Sequence, residues 1–270
     1  MGTRLQKTLQ DMRDAGRKGL LIYLTAGAPD VDATLEAVKR AQRAGADVIE
    51  LGLPFSDPMA DGPVIQAASV RALREGMTTR RILELLQEIR SFTDVPIVGM
   101  GYFNTMLHYG LKKFVTDFQK AGLDGLIIPD LPHEEASEMQ AVCQAQELQE
   151  LYLMEFITPS TTEARLQKIC HEATGFVYCV SNNGVTGVKE VDYTPIHQTI
   201  RKARAYTDIP MAVGFGIGTP RAAVQAAKGA DAVIVGSAVM KLLLAEKLDE
   251  AEALIASLRA ALDAHYPAQA

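Results

Sequence analysis

The sequence has few cysteines and no long apolar run. Its three cysteines, Cys143, Cys170 and Cys179, are scattered, odd in number and never spaced as Cys-x-x-Cys. This pattern disfavours a disulfide framework and a zinc site, and it is typical of reduced thiols. No apolar stretch reaches the length that crosses a bilayer, and residues 1–18 are polar and charged, unlike a secretion signal. We therefore expect a soluble, cytoplasmic protein.

Motifs of several common reaction types are also missing. The sequence has no His-Glu-x-x-His, His-x-His or cysteine–histidine cluster for a metal, and no Gly-x-Ser-x-Gly turn for a nucleophilic serine. The predicted sixth strand contains no lysine that could form an imine with a substrate. The histidines are dispersed, and we predict that they lie at the surface: His108, His133, His171, His197 and His265.

Charge and length narrow the class of protein further. The chain has 33 acidic and 27 basic residues, a net charge of −6, and no basic patch of the kind that binds nucleic acid or membranes. Its 270 residues, 48% of them hydrophobic, can bury a full core. We see no linker or low-complexity tract, so we predict one domain over residues 1–270.

One pattern repeats from end to end: a short apolar, β-branched run, a polar or glycine-rich connection, and an amphipathic helical segment. The eight runs are Leu20–Thr25, Val48–Leu51, Pro96–Met100, Gly125–Ile128, Leu151–Ile157, Gly175–Val180, Pro210–Val213 and Ala232–Val235. Continuous apolar strands suit a parallel sheet covered by helices. Eight such units predict a single α/β domain of the (β/α)8 TIM-barrel class, favoured over an open doubly wound sheet, which usually has fewer strands.

Helix starts and one additional helix can also be predicted. The residue types that begin helices occur at Asp30, Thr78-Thr79, Pro132, Thr161-Thr162 and Thr219-Pro220. An extra N-terminal amphipathic segment, Leu5–Ala15, precedes the first strand, and we expect it to close the lower face of the barrel.

Acidic residues are the main candidates for chemistry at the carboxyl ends of the strands, where barrels place their active sites. Glu50 ends an otherwise apolar second strand, and Asp61 lies in the long loop that follows, with Asp57 and Asp130 as further candidates. Glu50 could equally be a capping or ion-paired residue, and Asp61 a turn residue, so neither alone identifies a site.

Glycines cluster after the last three strands. Gly184 and Gly187 follow the sixth strand, Gly214, Gly216 and Gly218 the seventh, and Gly236-Ser237 opens a helix after the eighth. Backbone N–H groups and a helix N-terminus could therefore converge on one phosphate. The alternative is that these glycines only permit tight turns. The spacing does not match a dinucleotide fingerprint, which belongs after the first strand.

Several of these segments together resemble the tryptophan synthase α subunit family. The segment from Ile49 to Pro63, with both acids in register, is similar to the diagnostic loop of that family. Shorter segments resemble the family in the same order: Thr25–Pro29, Pro129–Pro132, Gly184–Gly187 and Gly214–Ile217. The resemblance implies a TIM barrel that cleaves indole-3-glycerol phosphate to indole and glyceraldehyde 3-phosphate for tryptophan synthesis.

The resemblance also implies a role for individual residues. Glu50 would be the acid/base, Asp61 would accept the indole N–H, and Tyr178 would help to place Glu50. The residues implied at the phosphate are Gly187, Gly216, Gly236 and Ser237. Those implied around the indole are Tyr23, Met100, Ile127, Phe215 and Ile234, with Thr186 in a loop that closes over it.

An acid/base mechanism of this kind needs no metal and no imine, because a protonated indole can itself accept the electrons of the broken bond. The resemblance implies no cofactor in this chain, and a pyridoxal-phosphate β subunit as partner in an α2β2 complex. Two alternatives stay open at this point: another phosphate-sugar barrel enzyme, or a subunit that acts mainly by activating its partner.

Three features depart from the family pattern. Asn182-Asn183 precede the glycine loop, and Thr105 follows Asn104 where a proline is common. Glu155 stands in a strand that is usually apolar; by alternation it shares a face with Ile157, which we expect to face the pocket. A buried carboxylate without a partner would be costly there.

Overall fold

The computed structural model describes residues 3–145, 151–181 and 191–268. Within these ranges all sheet pairings are parallel, and the strands are β1 Gly19–Thr25, β2 Val48–Gly52, β3 Ile97–Met100, β4 Gly125–Ile127, β5 Tyr152–Leu153, β6 Glu155–Ile157, β7 Val177–Val180, β8 Met211–Gly214 and β9 Ala232–Val235. The helices are α1 Arg4–Asp14, α2 Val31–Arg43, α3 Pro63–Arg74, α4 Thr79–Arg90, α5 Phe103–Tyr109, α6 Leu111–Lys120, α7 Ser137–Gln144, α8 Glu163–Glu172, α9 Thr194–Ala203, α10 Pro220–Ala227, α11 Ser237–Leu244 and α12 Leu248–His265.

The strand order is β5-β4-β3-β2-β1-β9-β8-β7-β6, so the first strand pairs with the last. The fifth predicted run divides into β5, which pairs with β4, and β6, which pairs with β7. Only Met154 separates the two pieces, and its N–H donates to the Leu126 carbonyl at 2.9 Å. The chain thus passes from one edge of the sheet to the other within a single strand, and the predicted TIM barrel is confirmed.

Both faces of the strands are buried, which explains why the sequence runs are continuously apolar. Side chains facing inward form an interior cluster that includes Leu21, Val98 and Phe176. Those facing outward, such as Ile22 and Ile49, pack under the helices. In the described part of the chain no helix is long and apolar enough to cross a membrane.

Helix α1 closes the amino end of the barrel, as the sequence predicts. Its buried residues Leu5, Leu9 and Met12 belong to the interior cluster rather than to the outer layer. Arg4 pairs with Asp124 at 3.0 Å and fastens the start of the helix to the barrel. The interior is therefore sealed below, and access from solvent is left to the carboxyl end.

Three aspartates clamp neighbouring strands together at this lower end. Each follows a Gly-x step and immediately precedes a strand: Asp47 before β2, Asp124 before β4 and Asp231 before β9. Their carboxylates accept the backbone N–H groups of Leu20, Ile97 and Met211 at 2.7–2.8 Å. Each also pairs with arginine: Arg17 and Arg259 at Asp47, Arg4 and Arg90 at Asp124, and Arg204 at Asp231.

Most of the predicted helix starts are confirmed by the structure. Asp30, Thr78 and Thr219 accept the N–H of the residue three positions later, which satisfies a donor that the first helical turn leaves free. Thr162 precedes α8 without a side-chain cap. After Pro132 the chain forms only a 3₁₀ turn, His133–Glu135, and α7 begins two residues later.

Candidate active site

A cavity of about 270 Å³ opens at the carboxyl end of the barrel. Its walls combine two acids, two tyrosines, aliphatic side chains and a glycine-rich corner. The lining residues are Tyr23, Glu50, Asp61, Gly62, Ile65, Met100, Tyr178, Phe215, Gly216, Ile217, Gly218, Ile234, Gly236, Ser237 and Ala238. Most of the wall is apolar, so any charge inside it is poorly hydrated.

Glu50 points into this cavity from β2. It lies at the same register as Tyr23 of β1 and Val98 of β3, and 1% of its surface is exposed. Its Oε2 atom has no hydrogen-bond partner among the described residues. Burial, with the negative charge of Asp61, raises the pKa of Glu50 to about 8. The side chain neither caps a helix nor pairs with a described cation, and with this pKa it is mainly protonated at neutral pH.

Asp61 reaches the same cavity from the loop between β2 and α3. Burial raises its pKa to about 6, and a hydrogen bond from the Tyr102 hydroxyl, 3.1 Å from Oδ2, opposes that rise. The Ala60 N–H in turn donates to the Tyr102 hydroxyl at 3.0 Å, and Phe55 stacks on the Tyr102 ring. Asp61 is therefore largely ionised at pH 7, beside an acid that is not.

Tyr102 was not among the residues that the sequence pointed to. It follows β3, and its contact with Asp61 spans 41 positions of the chain. The one sequence feature that could have indicated Tyr102 as a site residue is its place at the carboxyl end of a strand. Ile65 and Ile217 also line the cavity without having been singled out.

Two tyrosines stand over glycines on the neighbouring strands. The Tyr178 ring lies where a methyl group on Gly214 would approach its hydroxyl oxygen to 2.6 Å, and Tyr23 is related to Gly52 in the same way. Burial and the negative charge of Glu50 raise the pKa of Tyr178 well above its ordinary value. The Tyr178 ring also packs against Phe156 at 5.1 Å. The phenol thus stays protonated beside Glu50.

The glycine-rich corner is built from a strained turn and a helix start. Phe215 and Gly216 both have positive φ, at 75° and 76°, and a methyl group on Gly216 would lie 2.4 Å from Val191. Ser181 Oγ lies 2.9 Å from the carbonyl oxygens of both Gly214 and Phe215 and shares its one hydroxyl proton between them. This bond holds a conformation that a bulky residue rarely adopts. Gly236 and Ser237 begin α11 on the opposite side of the cavity.

The other residues implied at the site are placed differently. Ile127 is fully buried in the interior cluster and does not line the cavity. Gly187 and Thr186, like Asn182-Asn183, lie outside the described residues. Asp57 is exposed and accepts from the Ser56 hydroxyl, whereas Asp130 accepts the Phe103 N–H at the start of α5. Neither of these two acids reaches the cavity.

The expectation that Ile157 and Glu155 face the pocket is wrong. Glu155 is buried, but its Oε1 atom lies 3.0 Å from His133 Nδ1 and 3.3 Å from Gln140 Nε2, in the layer between strands and helices. Phe156 takes the inward position instead. The same contact corrects the surface assignment of His133, whose side chain is 8% exposed. Glu155 thus has a partner, and its burial has no connection with the cavity.

The described residues contain no group of three or more His, Cys, Asp or Glu side chains that could hold a metal ion. Cys143, Cys170 and Cys179 are buried and free. In the described part of the chain, the polar groups at the cavity are the two carboxyls, the two phenols, the Ser237 hydroxyl and the backbone of the glycine corner.

Comparisons with known proteins identify the family of the whole chain. A family model described as tryptophan synthase alpha chain matches residues 9–267. The tryptophan synthase alpha chain of Caldanaerobacter subterraneus is 41% identical over 264 residues, which cover 96% of this chain and 99% of the relative. The solved alpha subunit of Legionella pneumophila superposes with a TM-score of 0.87 at 35% identity, covering 98% of this chain and 100% of that one. A chain of tryptophan synthase from Mycobacterium tuberculosis gives 0.88 at 36% identity, covering 97% and 99%. This chain belongs to the tryptophan synthase alpha chain family.

Proposed function

We propose that Glu50 and Asp61 carry out the lyase reaction of this family in the cavity, cleaving indole-3-glycerol phosphate to indole and glyceraldehyde 3-phosphate. The observation that carries the proposal is the pair of carboxyls with different pKa values in one apolar cavity, about 8 for Glu50 and about 6 for Asp61. Near neutral pH one is an acid and the other an anion. A pair of titratable groups whose environments separate their pKa values is the usual basis for dividing acid and base roles.

In the proposed mechanism Glu50 first donates its proton to C3 of the indole. The ring then carries a positive charge that its nitrogen shares, and the Asp61 carboxylate accepts the N–H and balances that charge. Glu50, now ionised, takes the proton of the side-chain hydroxyl next to the ring. The carbon–carbon bond breaks, its electrons return to the ring, and the aldehyde is released. The Tyr178 phenol lies beside Glu50 and helps to place it.

The phosphate is proposed to bind at the glycine corner. Gly216, Gly236 and Ser237 line the same cavity as the two acids, and α11 directs its N-terminus there. Backbone N–H groups at such a start favour an anion. Gly187 is proposed to contribute a further N–H, and Thr186 to belong to the segment that closes over the substrate.

The indole is proposed to lie between the apolar walls. Tyr23, Met100, Phe215 and Ile234 line the cavity and present the flat or branched surfaces that an aromatic bicycle contacts. Ile127 does not line the cavity itself and is proposed to support the indole wall by packing, because it pairs with Met100 from the neighbouring strand β4.

A β subunit that carries pyridoxal phosphate is proposed as the partner, in an α2β2 complex in the cytoplasm, with no cofactor in this chain. Two apolar side chains at the carboxyl end support a docking face: Met59 is 88% exposed and Leu107 55% exposed. They lie in the loop that carries Asp61 and in α5. A partner that docks over the mouth of the cavity would cover both side chains.

The direct test is indole formation from indole-3-glycerol phosphate by the purified chain, measured with and without a β subunit. Glu50→Gln should lower the rate by at least about 100-fold, the usual contribution of a general acid/base. Glu155→Gln is the matched control, because it removes a buried carboxylate from the outer face of the same barrel. If Glu50→Gln forms indole at the wild-type rate, the acid/base assignment is rejected. If the wild-type chain forms no indole in any condition, the lyase proposal is rejected.

A further inference from the structure

The hydroxyl group of Tyr23 is a fixed polar atom in a wall that otherwise suits an apolar ring. The Thr25 hydroxyl, two residues along the same face of β1, donates to it at 3.2 Å. A methyl group on Gly52 would lie 2.1 Å from the Tyr23 hydroxyl oxygen. The phenol therefore extends across β2, above the level of Glu50, and its oxygen is held in one place.

The surroundings of this hydroxyl are acidic. Tyr23 is 6% exposed and lies at the register of Glu50 on the neighbouring strand. Burial raises its pKa well above the ordinary value, and the negative charges of Asp61 and Glu50 raise it further. The phenol thus keeps its proton throughout the working range of the two carboxyls.

The proton of Tyr23 is available to donate. Its oxygen already accepts from Thr25, and no hydrogen bond from Tyr23 to another described residue is seen. Glu50 Oε2 also lacks a partner within the described ranges. The Tyr23 hydroxyl proton and the Glu50 carboxyl thus line the same cavity from adjacent strands, and neither has an acceptor or partner there among the described residues. A bound molecule with an acceptor at this position would complete the hydrogen bonding of the hydroxyl group.

We propose that Tyr23 donates a hydrogen bond to the side-chain hydroxyl oxygen of the substrate, the group whose proton Glu50 removes. This inference rests on the proposed function. In the cleavage step the hydroxyl proton passes to the Glu50 carboxylate, the O–H electrons form the aldehyde double bond, and the carbon–carbon electrons return to the ring. Tyr23 keeps its own proton; it orients the oxygen and stabilises the charge that develops on it.

The test is Tyr23→Phe, which removes the hydroxyl and leaves the ring. We expect kcat/KM for indole formation to fall about tenfold, the size of one hydrogen bond, mainly through kcat. The dissociation constant of indole-3-propanol phosphate, which lacks the hydroxyl, should stay unchanged. Thr25→Val should lower kcat less and should add nothing in the Tyr23→Phe background, because the bond that it removes acts only through Tyr23.

Tyr152→Phe is the matched control. Tyr152 is also a buried tyrosine of the barrel interior whose hydroxyl accepts from a threonine, Thr3, at 3.3 Å, but it lies at the closed end. It should leave kcat/KM unchanged. If Tyr23→Phe keeps the wild-type kcat/KM, or weakens the analogue as much as the substrate, Tyr23 is only a wall residue. Wild-type protein that forms no indole would instead reject the proposed function itself.

Discussion

Replacing Glu50 with glutamine should change how the stability of this protein depends on pH. The carboxyl has an ordinary pKa of 4.5 when exposed in the unfolded chain and about 8 in the fold, because burial disfavours its charged form. Because the pKa is higher in the fold, the contribution of Glu50 to the free energy of unfolding is fully present below pH 4.5 and is lost as the pH rises towards 8. Glutamine cannot ionise, so the variant escapes this loss.

The magnitude follows from the two pKa values. The difference between 4.5 and about 8, at about 1.4 kcal/mol for each pH unit, amounts to about 5 kcal/mol. The free energy of unfolding of Glu50→Gln should therefore gain on the wild type by up to about 5 kcal/mol between pH 4.5 and pH 9. Most of this gain should appear between pH 5 and pH 8.

Urea unfolding followed by circular dichroism at several pH values measures this difference. Glu88→Gln, at an exposed carboxylate on α4, is the control and should follow the wild type. If the wild type and Glu50→Gln lose stability in parallel across the range, Glu50 is hydrated and ordinary. The acid role argued from its burial would then be wrong.

Three further predictions concern activity. The pH profile of kcat/KM for indole formation should be bell-shaped, rising as Asp61 ionises near pH 6 and falling as Glu50 ionises near pH 8; a plateau above pH 8 would contradict this. Tyr102→Phe should move the acidic limb of that profile to higher pH, because the Tyr102 hydrogen bond lowers the pKa of Asp61 and its removal lets that pKa rise. An unmoved limb would count against the contact. Gly214→Ala should reduce indole formation severely while circular dichroism shows an intact fold, since the added methyl lies 2.6 Å from Tyr178; a fully active variant would mean that the ring position is unimportant.

The barrel could be predicted from the sequence because parallel strands buried on both faces leave continuous apolar runs. Every predicted run overlaps at least one strand, and the helix that closes the lower end was predicted from its amphipathic pattern. Because both faces are buried, the sequence did not show which side chains of the fifth run, Leu151–Ile157, point into the barrel. Where both neighbours of Glu155 are apolar, alternation relates Glu155 to Ile157 but does not say which face is inside. That choice depends on His133 and Gln140, which approach Glu155 only in the folded chain.

Part of the candidate site could also be predicted from the sequence, for a different reason. Glu50 at the end of β2 and Asp61 in the loop after it stand eleven positions apart in one distinctive segment, so local sequence could indicate both. Tyr102 acts through a contact that no local pattern records, because its hydroxyl reaches Asp61 across 41 positions of the chain. The sequence reveals which residue types are present at the strand ends, whereas hydrogen bonding between loops decides which of them act together.

The clamps formed by Asp47, Asp124 and Asp231 have a consequence for how this protein can change. They join strands at the end farthest from the cavity, where no catalytic group is proposed. Substitutions there should alter the melting temperature and leave rate constants untouched, whereas substitutions of buried groups at the cavity, such as Glu50, should change both activity and stability. Thermal stability can thus be tuned at the lower end of the barrel, by selection or by an engineer, without altering the groups that are proposed to act on the substrate.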